Sequence, residues 1–506
     1  MARTLMVQGT ASGVGKSWMV TALCRILRRR GCRVAPFKAQ NMSNNAAVTR
    51  SGGEVGRAQA LQAEAAGVEV DERMNPVLLK PIADDRSDVV VMGRSRPDLS
   101  AMPWLERRGA LWPEVTSALD SLRRDFDWVV IEGAGSPAEV NLRRADIVNM
   151  AVAHYAQAPV LLVADIDRGG AFAALVGTWQ LLPPEDRERI RGFVLNRFRG
   201  DPGLLGDAPE VVRTHTGVDV IGVVPWIRAR LPEEDAATLE RSSDVGGDRA
   251  ARARAQSGTD AGPDGPWVAI VRLPRVANFD DVLPLEEDLA VARPAGGVRW
   301  VEEPSELRGA RAVVLPGTRN VVADLAWLHE TGLARAIRRL AEEGTAVLGL
   351  CGGYQMLGAR VDDPESLEGG GTTVGLGLLP VETTLERSKD VRRVRAIWSL
   401  GGSGSRSGEL GGYEIHHGVT RLAEEDASAF VRDAHDPARV LGYRRGRVWG
   451  TYVHGCLRDD AFRSAWLESM GVTSSDPRAL GIVNPIDVVA DAVDAALDLD
   501  EILGAS

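Results

Sequence analysis

The sequence has few of the features that mark secreted, membrane-spanning or nucleic-acid-binding proteins. Its 506 residues include only four cysteines, too few for a disulfide framework, and no two are spaced as a metal-binding pair. No apolar run approaches the roughly 20 residues of a membrane span, and the opening MARTLMVQGT does not read as a signal segment. The net charge of −10 disfavours general nucleic-acid binding, which needs a basic surface. We therefore expect a cytoplasmic protein that binds neither nucleic acid nor membrane.

Lysine is also scarce, since only four of the 60 basic residues are lysines. These are Lys16, Lys38, Lys80 and Lys389. Arginine and lysine are not interchangeable at a phosphate, because lysine presents a compact ammonium. Lys16 and Lys38 fall within motifs that indicate phosphate binding, so the few retained lysines point to that chemistry.

The first half of the chain opens with a phosphate-loop pattern. A short apolar strand is followed by GTASGVGKS (9–17) and then by an amphipathic helix. This is the context of a P-loop, although five residues rather than four separate its first and third glycines. The N–H groups of residues 13–17 are expected to cradle a triphosphate. Lys16 would reach its β and γ phosphates, and Ser17 would bind Mg²⁺.

Later apolar strands of this half end in polar residues. Lys38 follows the second strand, and Glu132 ends the buried run WVVIE. A carboxylate at the carboxyl end of a parallel strand beside a P-loop is well placed to bind Mg²⁺. Glu54, near the start of the helical pattern GGEVGRAQALQAEAAG, is a further candidate ligand. Apolar strands that alternate with helices indicate a doubly wound α/β domain with a mostly parallel sheet.

A polar stretch divides the chain. Residues 232–265 are rich in Gly, Ser, Asp and Arg and show no apolar periodicity. We predict a P-loop domain over 1–231, a flexible linker over 232–265, a second doubly wound α/β domain over 266–465 and a C-terminal helical extension over 466–506.

The stretch VLGLCGGYQMLG (347–358) reads as a strand, a sharp turn and the start of a helix. Such a turn presents a thiol to a ligand beside N–H groups that favour the thiolate. The alternative is a buried cysteine, which is the commoner fate of a free thiol.

Other features of the second half favour a nucleophilic Cys351. His454 lies at a late strand end, where it could hold the thiolate and protonate leaving ammonia. N–H groups near Gly317 and Gly352 could form an oxyanion hole. His416 is the competing histidine, whereas Cys456 follows no strand-to-helix turn and is expected to be structural.

The first half resembles the dethiobiotin synthetase-like ATPases. The resemblance rests on GT-x4-VGKS, the lysine after the second strand, the EGAG loop and a late VLN. It implies ATP as a substrate and Mg²⁺ as its cation. The implied contacts are Thr10, Gly13, Gly15, Lys16, Ser17 and Lys38 at the phosphates, Ser17 and Glu132 at Mg²⁺, and Asn196 at adenine.

The second half resembles the triad class of glutamine amidotransferases, whose turn reads G-x-C-x-G-x-Q and here spans 349–355. The resemblance implies hydrolysis of L-glutamine, with Gln355 at the glutamine site. Members of this class usually carry Pro-Glu after the catalytic histidine, but here Gly455 and Cys456 follow His454. The orienting carboxylate is therefore missing from that position, as in the cobalamin-pathway branch of the class.

Motifs along nearly the whole chain resemble the cobyric acid synthase family, among them APFKAQNMSNN, EGAGSPAEVNL, VADIDRGG, LCGGYQMLG and GYEIHHG. The resemblance implies an amidotransferase that uses ATP and glutamine. Its substrate would be adenosylated cobyrinic or hydrogenobyrinic a,c-diamide, amidated through acyl phosphates at carboxylates b, d, e and g to give cobyric acid. Asp146 would help to position the corrinoid carboxylate.

Two alternatives stay open at this point. The first is a cobyrinic acid a,c-diamide synthase, which has the same two domains and the same chemistry. The second is a non-catalytic nucleotide switch of the partitioning-ATPase type, with a degenerate amidotransferase domain.

Overall fold

The structure, a computed structural model, describes residues 1–83, 86–227, 231, 266–291, 297–401, 406–472, 484–499 and 502. The chain forms two compact units, Met1–Glu234 with Val483–Ser506, and Asp235–Ile482. The predicted linker 232–265 lies outside the described residues. Within the described ranges, no helix combines the length and apolar character needed to cross a membrane.

The strands and helices of the first unit alternate along most of its length. Its strands are β1 (Arg3–Gly9), β2 (Val34–Phe37), β3 (Gln40–Met42), β4 (Ala46–Val48), β5 (Glu54–Gly56), β6 (Val77–Ala83), β7 (Arg86–Val91), β8 (Arg94–Ser95), β9 (Trp128–Glu132), β10 (Val160–Asp165), β11 (Ile190–Phe198) and β12 (Val220–Pro225). Its helices before the boundary are α1 (Lys16–Arg29), α2 (Arg57–Ala66), α3 (Pro97–Ser100), α4 (Arg107–Asp125), α5 (Met150–Ala156), α6 (Ala171–Leu181), α7 (Pro184–Arg187) and α8 (Ala208–Thr216).

The main sheet of this unit has the strand order β12-β11-β10-β1-β9-β2, and all its pairs are parallel. Side chains of β1 alternate between two cores: Leu5 and Val7 pack on the face covered by α1, and Met6 on the face covered by α4. A strand buried on both faces needs apolar residues at nearly every position, which explains its continuous apolar run. The predicted doubly wound fold is confirmed.

A smaller β layer follows the carboxyl end of β2. It consists of a four-stranded sheet, β3-β6-β7-β8, and the hairpin-like pair β4-β5. Glu54 therefore lies in a short strand that precedes α2, and not at the start of a helix as the sequence pattern indicates.

The second unit is built on a mixed sheet. Its strands are β13 (Trp267–Val271), β14 (Val276–Ala277), β15 (Gly297–Val301), β16 (Ala312–Leu315), β17 (Gly317–Thr318), β18 (Ala346–Leu350), β19 (Arg360–Asp363), β20 (Gly371–Val374), β21 (Val381–Ser399), β22 (Ser407–Leu422), β23 (Ser428–Asp433), β24 (Val440–Arg445) and β25 (Val448–Thr451). Its helices are α9 (Leu283–Val291), α10 (Val321–Glu330), α11 (Leu333–Glu342), α12 (Gly352–Leu357) and α13 (Asp460–Ser469).

Five neighbouring strands of this sheet, in the order β15-β13-β16-β18-β25, are parallel. The sheet continues through β24, β23 and β21, and the long strand β22 pairs with β21. Strand β18 lies inside the parallel part and ends immediately before Cys351. The parallel topology thus brings the predicted nucleophile to the sheet edge where α/β proteins bind ligands.

Helix α14 (Pro485–Ala496) belongs to the first unit, whereas α13 belongs to the second. Residues 466–506 were instead predicted to form one extension. Apolar residues of α14 such as Val489 and Val493 share a core with residues of α1. Charge complements this packing, because Asp487 accepts from Arg25 at 2.6 Å and from Arg29 at 2.7 Å.

We expect Asp487→Ala to loosen α14 from α1 by about 1 kcal/mol, the upper end for partly exposed ion pairs. Native-state hydrogen exchange over 484–499 measures this local opening. Asp494→Ala is the matched control, because Asp494 meets only a longer contact of 3.4 Å with Arg30 in a more exposed pair. Equal effects of the two substitutions would contradict a specific role for Asp487. The difference between them should shrink at high salt, because salt screens exposed charges.

Candidate active sites

The phosphate loop has a backbone that only glycine can supply at its end. Gly15 precedes α1 with φ of 101°, and a β carbon there would lie 2.0 Å from Nδ2 of Asn196. Asn196 donates to the carbonyl of Val14 at 2.8 Å, which ties the loop to β11. The Lys16 ammonium donates across the loop to the carbonyls of Ala11 and Gly135, at 2.9 and 3.0 Å. The loop therefore has the glycine-shaped cradle and the lysine that a phosphate site needs.

Glu132 is the centre of a buried polar cluster beside this loop. Its carboxylate is fully buried and accepts from Ser17 Oγ at 2.8 Å and from Lys38 Nζ at 2.9 Å. Gln62 Nε2 donates to the other carboxylate oxygen at 2.5 Å. A buried carboxylate needs such donors, because its desolvation is costly. The structure thus brings together the predicted Ser17, Lys38 and Glu132.

Gln62 is a member of this cluster that the sequence analysis missed. It lies on α2 one turn after Gln59, whose Oε1 accepts from Asn41 at 3.0 Å. Two glutamines at i and i+3 lie on the same face of a helix. Both are fully buried on a helix otherwise rich in alanine, which is the signal that could have pointed to them.

Other predicted residues of the first unit have partners of their own. The Glu54 carboxylate forms a buried ion pair with Lys80. The Asp146 carboxylate accepts from the backbone N–H groups of Val148, Asn149 and Ala151 at 2.8 to 2.9 Å. Asp146 therefore shapes the turn before α5. Thr10 lies at the start of the phosphate loop, and its N–H donates to Val163.

The described residues contain no group of three or more His, Cys, Asp or Glu side chains arranged to hold a metal ion. The roles of Glu54, Asp146 and Asn196 at a ligand stay predictions.

Cys351 occupies a strained turn between β18 and α12. Its φ of 53° is unusual for a residue other than glycine. A β carbon on Gly353 would lie 2.0 Å from the carbonyl oxygen of Leu315, so glycine is needed where the turn meets β16. The thiol is 8% exposed, and its Sγ is 3.4 Å from the carbonyl oxygen of Ile415. This is the geometry expected of a nucleophile held at a strand-to-helix turn.

Asp281 supplies the carboxylate that is missing after His454. Its Oδ2 lies 2.6 Å from Nδ1 of His454, and its Oδ1 accepts from the N–H of Gly455 at 2.9 Å. Asp281 and His454 are 2% and 1% exposed. Burial opposes the charged imidazolium, but attraction to Asp281 and Cys351 outweighs it and raises the pKa of His454 well above its usual value. Cys351 is thus one of the groups whose charge favours the protonated imidazole of His454.

Asp281 was not predicted, because it precedes His454 by 173 positions. The available signal was the acidic pair in ANFDDV, shortly after the first strand of the second unit. Carboxylates just beyond a strand of an α/β sheet are placed at its ligand-binding edge.

The competing histidine is engaged elsewhere. His416 Nδ1 lies 3.1 Å from the carbonyl of Gly418, and its Nε2 lies 3.4 Å from Glu414. Its ring stacks on Tyr452 with centroids 3.6 Å apart. The geometry therefore favours His454. Cys456 is buried, and burial raises the pKa of its thiol, which suits the structural role expected of it.

The two predicted oxyanion glycines lie around one short loop. Gly317 is in β17, and a β carbon there would lie 3.5 Å from Cε1 of His454. A β carbon on Gly352 would lie 2.6 Å from Cγ2 of Thr318. The Thr318 hydroxyl donates to Asp324 at 2.5 Å, which holds this loop at the start of α10. The oxyanion role of Gly317 and Gly352 stays a prediction.

Gln355 lies beneath the turn and is 3% exposed. Its Nε2 donates to the carbonyl of His417 at 2.8 Å and to the Tyr452 hydroxyl at 3.1 Å. These contacts tie α12 to β22 and to the end of β25. A direct contact of Gln355 with glutamine stays a prediction.

Two family models match the chain. Residues 5–238 match the CobQ/CobB/MinD/ParA nucleotide binding domain, and residues 267–462 match the CobB/CobQ-like glutamine amidotransferase domain. The chain is 50% identical to a cobyric acid synthase of Deinococcus radiodurans, over 97% of this chain and 96% of the relative. It is 44% identical to a cobyric acid synthase of Herpetosiphon aurantiacus, over 100% and 99% of the two chains. It is 46% identical to one of Chloroflexus aurantiacus, over 98% and 97%.

We expect Gln62→Ala to weaken nucleotide binding at least about fivefold. The substitution leaves an oxygen of the buried Glu132 carboxylate without its donor, a loss of about 1–3 kcal/mol. Titration with a fluorescent ATP analogue measures the effect. Glu64→Ala, on the exposed side of the same helix, is the control and should bind normally. Unchanged affinity of the Gln62 variant would show that Glu132 does not depend on this contact.

We expect Asp281→Asn to reduce glutamine hydrolysis on the order of 10³-fold, because the neutral amide no longer stabilises the imidazolium of His454. Glutamate release measures the loss. The neighbouring Asp280 pairs with Arg458 at 2.7 Å, so Asp280→Asn is the control and should stay within about tenfold of the parent activity. Equal losses in both variants would argue against Asp281 as the partner of His454.

Proposed function

The chain belongs to the cobyric acid synthase family, a family of glutamine-dependent ligases in cobalamin biosynthesis, and from this we propose that it amidates the b, d, e and g carboxylates of a corrinoid a,c-diamide. The corrinoid would be adenosylated cobyrinic or hydrogenobyrinic a,c-diamide, and the product cobyric acid. The observation that carries the proposal is the pairing of a Cys351–His454–Asp281 site with a phosphate loop in one chain.

In the glutaminase half, the Cys351 thiolate attacks the γ-amide carbon of glutamine. N–H groups near Gly317 and Gly352 stabilise the oxyanion that forms. His454 then gives its proton to the leaving nitrogen, so that the C–N bond breaks and ammonia departs. Asp281 keeps the proton of Nδ1 in place, which leaves Nε2 for this transfer.

In the ligase half, a corrinoid carboxylate oxygen attacks the γ-phosphorus of ATP, the bond from that phosphorus to the bridging oxygen breaks, and ADP leaves an acyl phosphate behind. Ammonia then attacks the acyl carbon, phosphate leaves, and an amide remains. A carboxylate is a poor electrophile, and the phosphate supplies the leaving group. Lys16 and Lys38 would neutralise phosphate charge in this transfer, which is supported by the contacts of Lys16 within the phosphate loop and of Lys38 with Glu132 beside it.

The residues around Glu132 fit a magnesium ion. The Ser17 hydroxyl and the Glu132 carboxylate are hard oxygen donors of the kind that Mg²⁺ prefers, and they lie next to a loop shaped for phosphates. Ser17 and Glu132 would hold the ion, which offsets phosphate charge when bound. Glu54, which forms a buried ion pair with Lys80, is the further candidate ligand.

Two further contacts complete the proposal. Asn196, at the end of β11 and bonded to the phosphate loop, is the candidate for adenine contact. Asp146 is the candidate for positioning the corrinoid carboxylate. Its three backbone hydrogen bonds hold its carboxylate in a single orientation, which supports such a role.

Separate nitrogen sources test the two halves independently. With ATP, Mg²⁺ and a corrinoid a,c-diamide, Cys351→Ala should lose glutamine-dependent amidation and keep amidation driven by ammonium salts. Lys16→Ala should lose both by at least about 100-fold, because it removes a phosphate contact. Mass spectrometry counts the amide groups added, and Cys456→Ala serves as the matched cysteine control.

Two outcomes would overturn this function. Ammonia release that survives Cys351→Ala would exclude the assigned nucleophile. Amidation of cobyrinic acid at a and c, without mass gain on the a,c-diamide, would identify the parent enzyme as an a,c-diamide synthase.

A further inference from the structure

One turn of the second unit supplies groups to both nitrogens of His454. Asp281 meets Nδ1, and Asn278, three residues earlier, places its Nδ2 3.4 Å from Nε2. Asn278 is 5% exposed and has a left-handed backbone, with φ of 51° and ψ of 40°, at the start of the short helix Phe279–Val282. This backbone conformation brings the Asn278 amide and the Asp281 carboxylate, which lie on the same turn, to one imidazole.

The chemistry of these contacts depends on the charge of the ring. Asp281 accepts a hydrogen bond, so the proton of the neutral ring lies on Nδ1 and Nε2 is left as an acceptor. The amide N–H of Asn278 complements this neutral ring. In the imidazolium, Nε2 also carries a proton, so the Asn278 amide in the orientation seen here presents a second donor to it. Asn278 therefore favours the neutral ring, whereas Asp281 and the thiolate of Cys351 favour the charged one.

The remaining groups around His454 do not reverse this assignment. The Tyr413 ring stacks on the imidazole with centroids 5.1 Å apart, and it carries no charge at neutral pH. Asp280 is compensated by its ion pair with Arg458. Burial raises the pKa of the Cys456 thiol, which keeps that group neutral.

We propose that Asn278 stabilises the neutral imidazole of His454 in the step that hydrolyses the γ-glutamyl thioester. This inference rests on the glutaminase function proposed above. In this step water adds to the thioester carbon and gives a proton to Nε2 of His454. The C–S bond then breaks, its electron pair returns to Sγ, and glutamate leaves.

The need for such a group follows from the reaction sequence. In the free enzyme the thiolate attracts the imidazolium, and the ion pair prepares the attack on glutamine. Once the sulfur is acylated, that attraction is lost, yet Asp281 still favours the proton on His454. A base that keeps its proton cannot accept one from water. The Asn278 donor offsets Asp281 at this stage, so one histidine serves as acid first and as base afterwards.

Asn278→Gly tests the amide without straining the backbone, because glycine adopts the left-handed region freely. Ser366→Gly is the matched control, since Ser366 has φ of 52° in the same unit and is exposed. Two pH profiles are measured. The rate of Cys351 alkylation by iodoacetamide reports the ion pair of the free enzyme. The kcat for glutamine hydrolysis reports the neutral His454 of the thioester form.

In Asn278→Gly we expect the two pH profiles to shift in opposite directions relative to the parent enzyme. Each shift should be about half a pH unit, which is the effect of losing one modest hydrogen bond. The rise of the alkylation rate with pH should move to lower pH, because the ion pair of Cys351 and His454 becomes more stable. The acid limb of kcat should move to higher pH, because the base holds its proton more tightly. Asn278→Asp replaces the donor with an acceptor and should extend both shifts. Ser366→Gly should leave both profiles in place.

The inference is overturned if both profiles of Asn278→Gly match the parent, or if both limbs move in the same direction. Asn278→Asp decides the question by the same criteria if the glycine variant fails to fold. Failure of the proposed function is a different result, in which the parent enzyme releases no glutamate from glutamine. The alkylation profile still reports on Asn278 and His454 in that case.

Discussion

A carboxylate removed from water organises each of the two active sites. Glu132 is fully buried and Asp281 is 2% exposed, and such groups stay ionised only when donors surround them. Glu132 accepts hydrogen bonds from Ser17, Lys38 and Gln62, which lie on three different segments. Asp281 contacts the imidazole of His454 and the backbone N–H of Gly455. The requirement to satisfy a buried charge thus fixes the positions of the groups that carry the chemistry.

Parallel sheets make this convergence possible. Strands β1 and β9 run side by side, with Val7 opposite Glu132, so the phosphate loop and the Glu132 carboxylate leave the sheet at the same edge. In the second unit β18 and β25 are parallel neighbours, and their carboxyl ends lead directly to Cys351 and to His454. Residues far apart in sequence become neighbours because strand polarity is shared, which is why both sites lie at carboxyl ends.

Sequence patterns predicted the features that depend on local backbone geometry. The phosphate loop needs glycines within nine residues, and the turn at Cys351 needs glycines next to the thiol, so both are visible as spacing. Asp281 and Gln62 were not predicted, because their partners lie on remote segments and no local pattern encodes a remote donor. Glu54 illustrates the same limit. Its carboxylate suits a metal ligand, and its ion pair with Lys80, on a strand that only tertiary pairing brings close, has no signal in the sequence spacing. Helix α14 belongs to the first unit for a similar reason: its apolar face fits α1, and chain order does not reveal that fit.

The turn that holds Asn278 and Asp281 also connects to the oxyanion loop. Strand β14 ends at Ala277, immediately before this turn, and pairs with β17, which contains Gly317. Asp324 reinforces the connection, because it accepts from Thr318 of β17 and from Arg275 just before β14. Movement of this pair of strands would change the proton balance of His454 and the position of Gly317 together. In the proposed function, thiolate formation, oxyanion stabilisation and hydrolysis of the thioester would therefore depend on one structural element, and a displacement of that element would weaken all three at once.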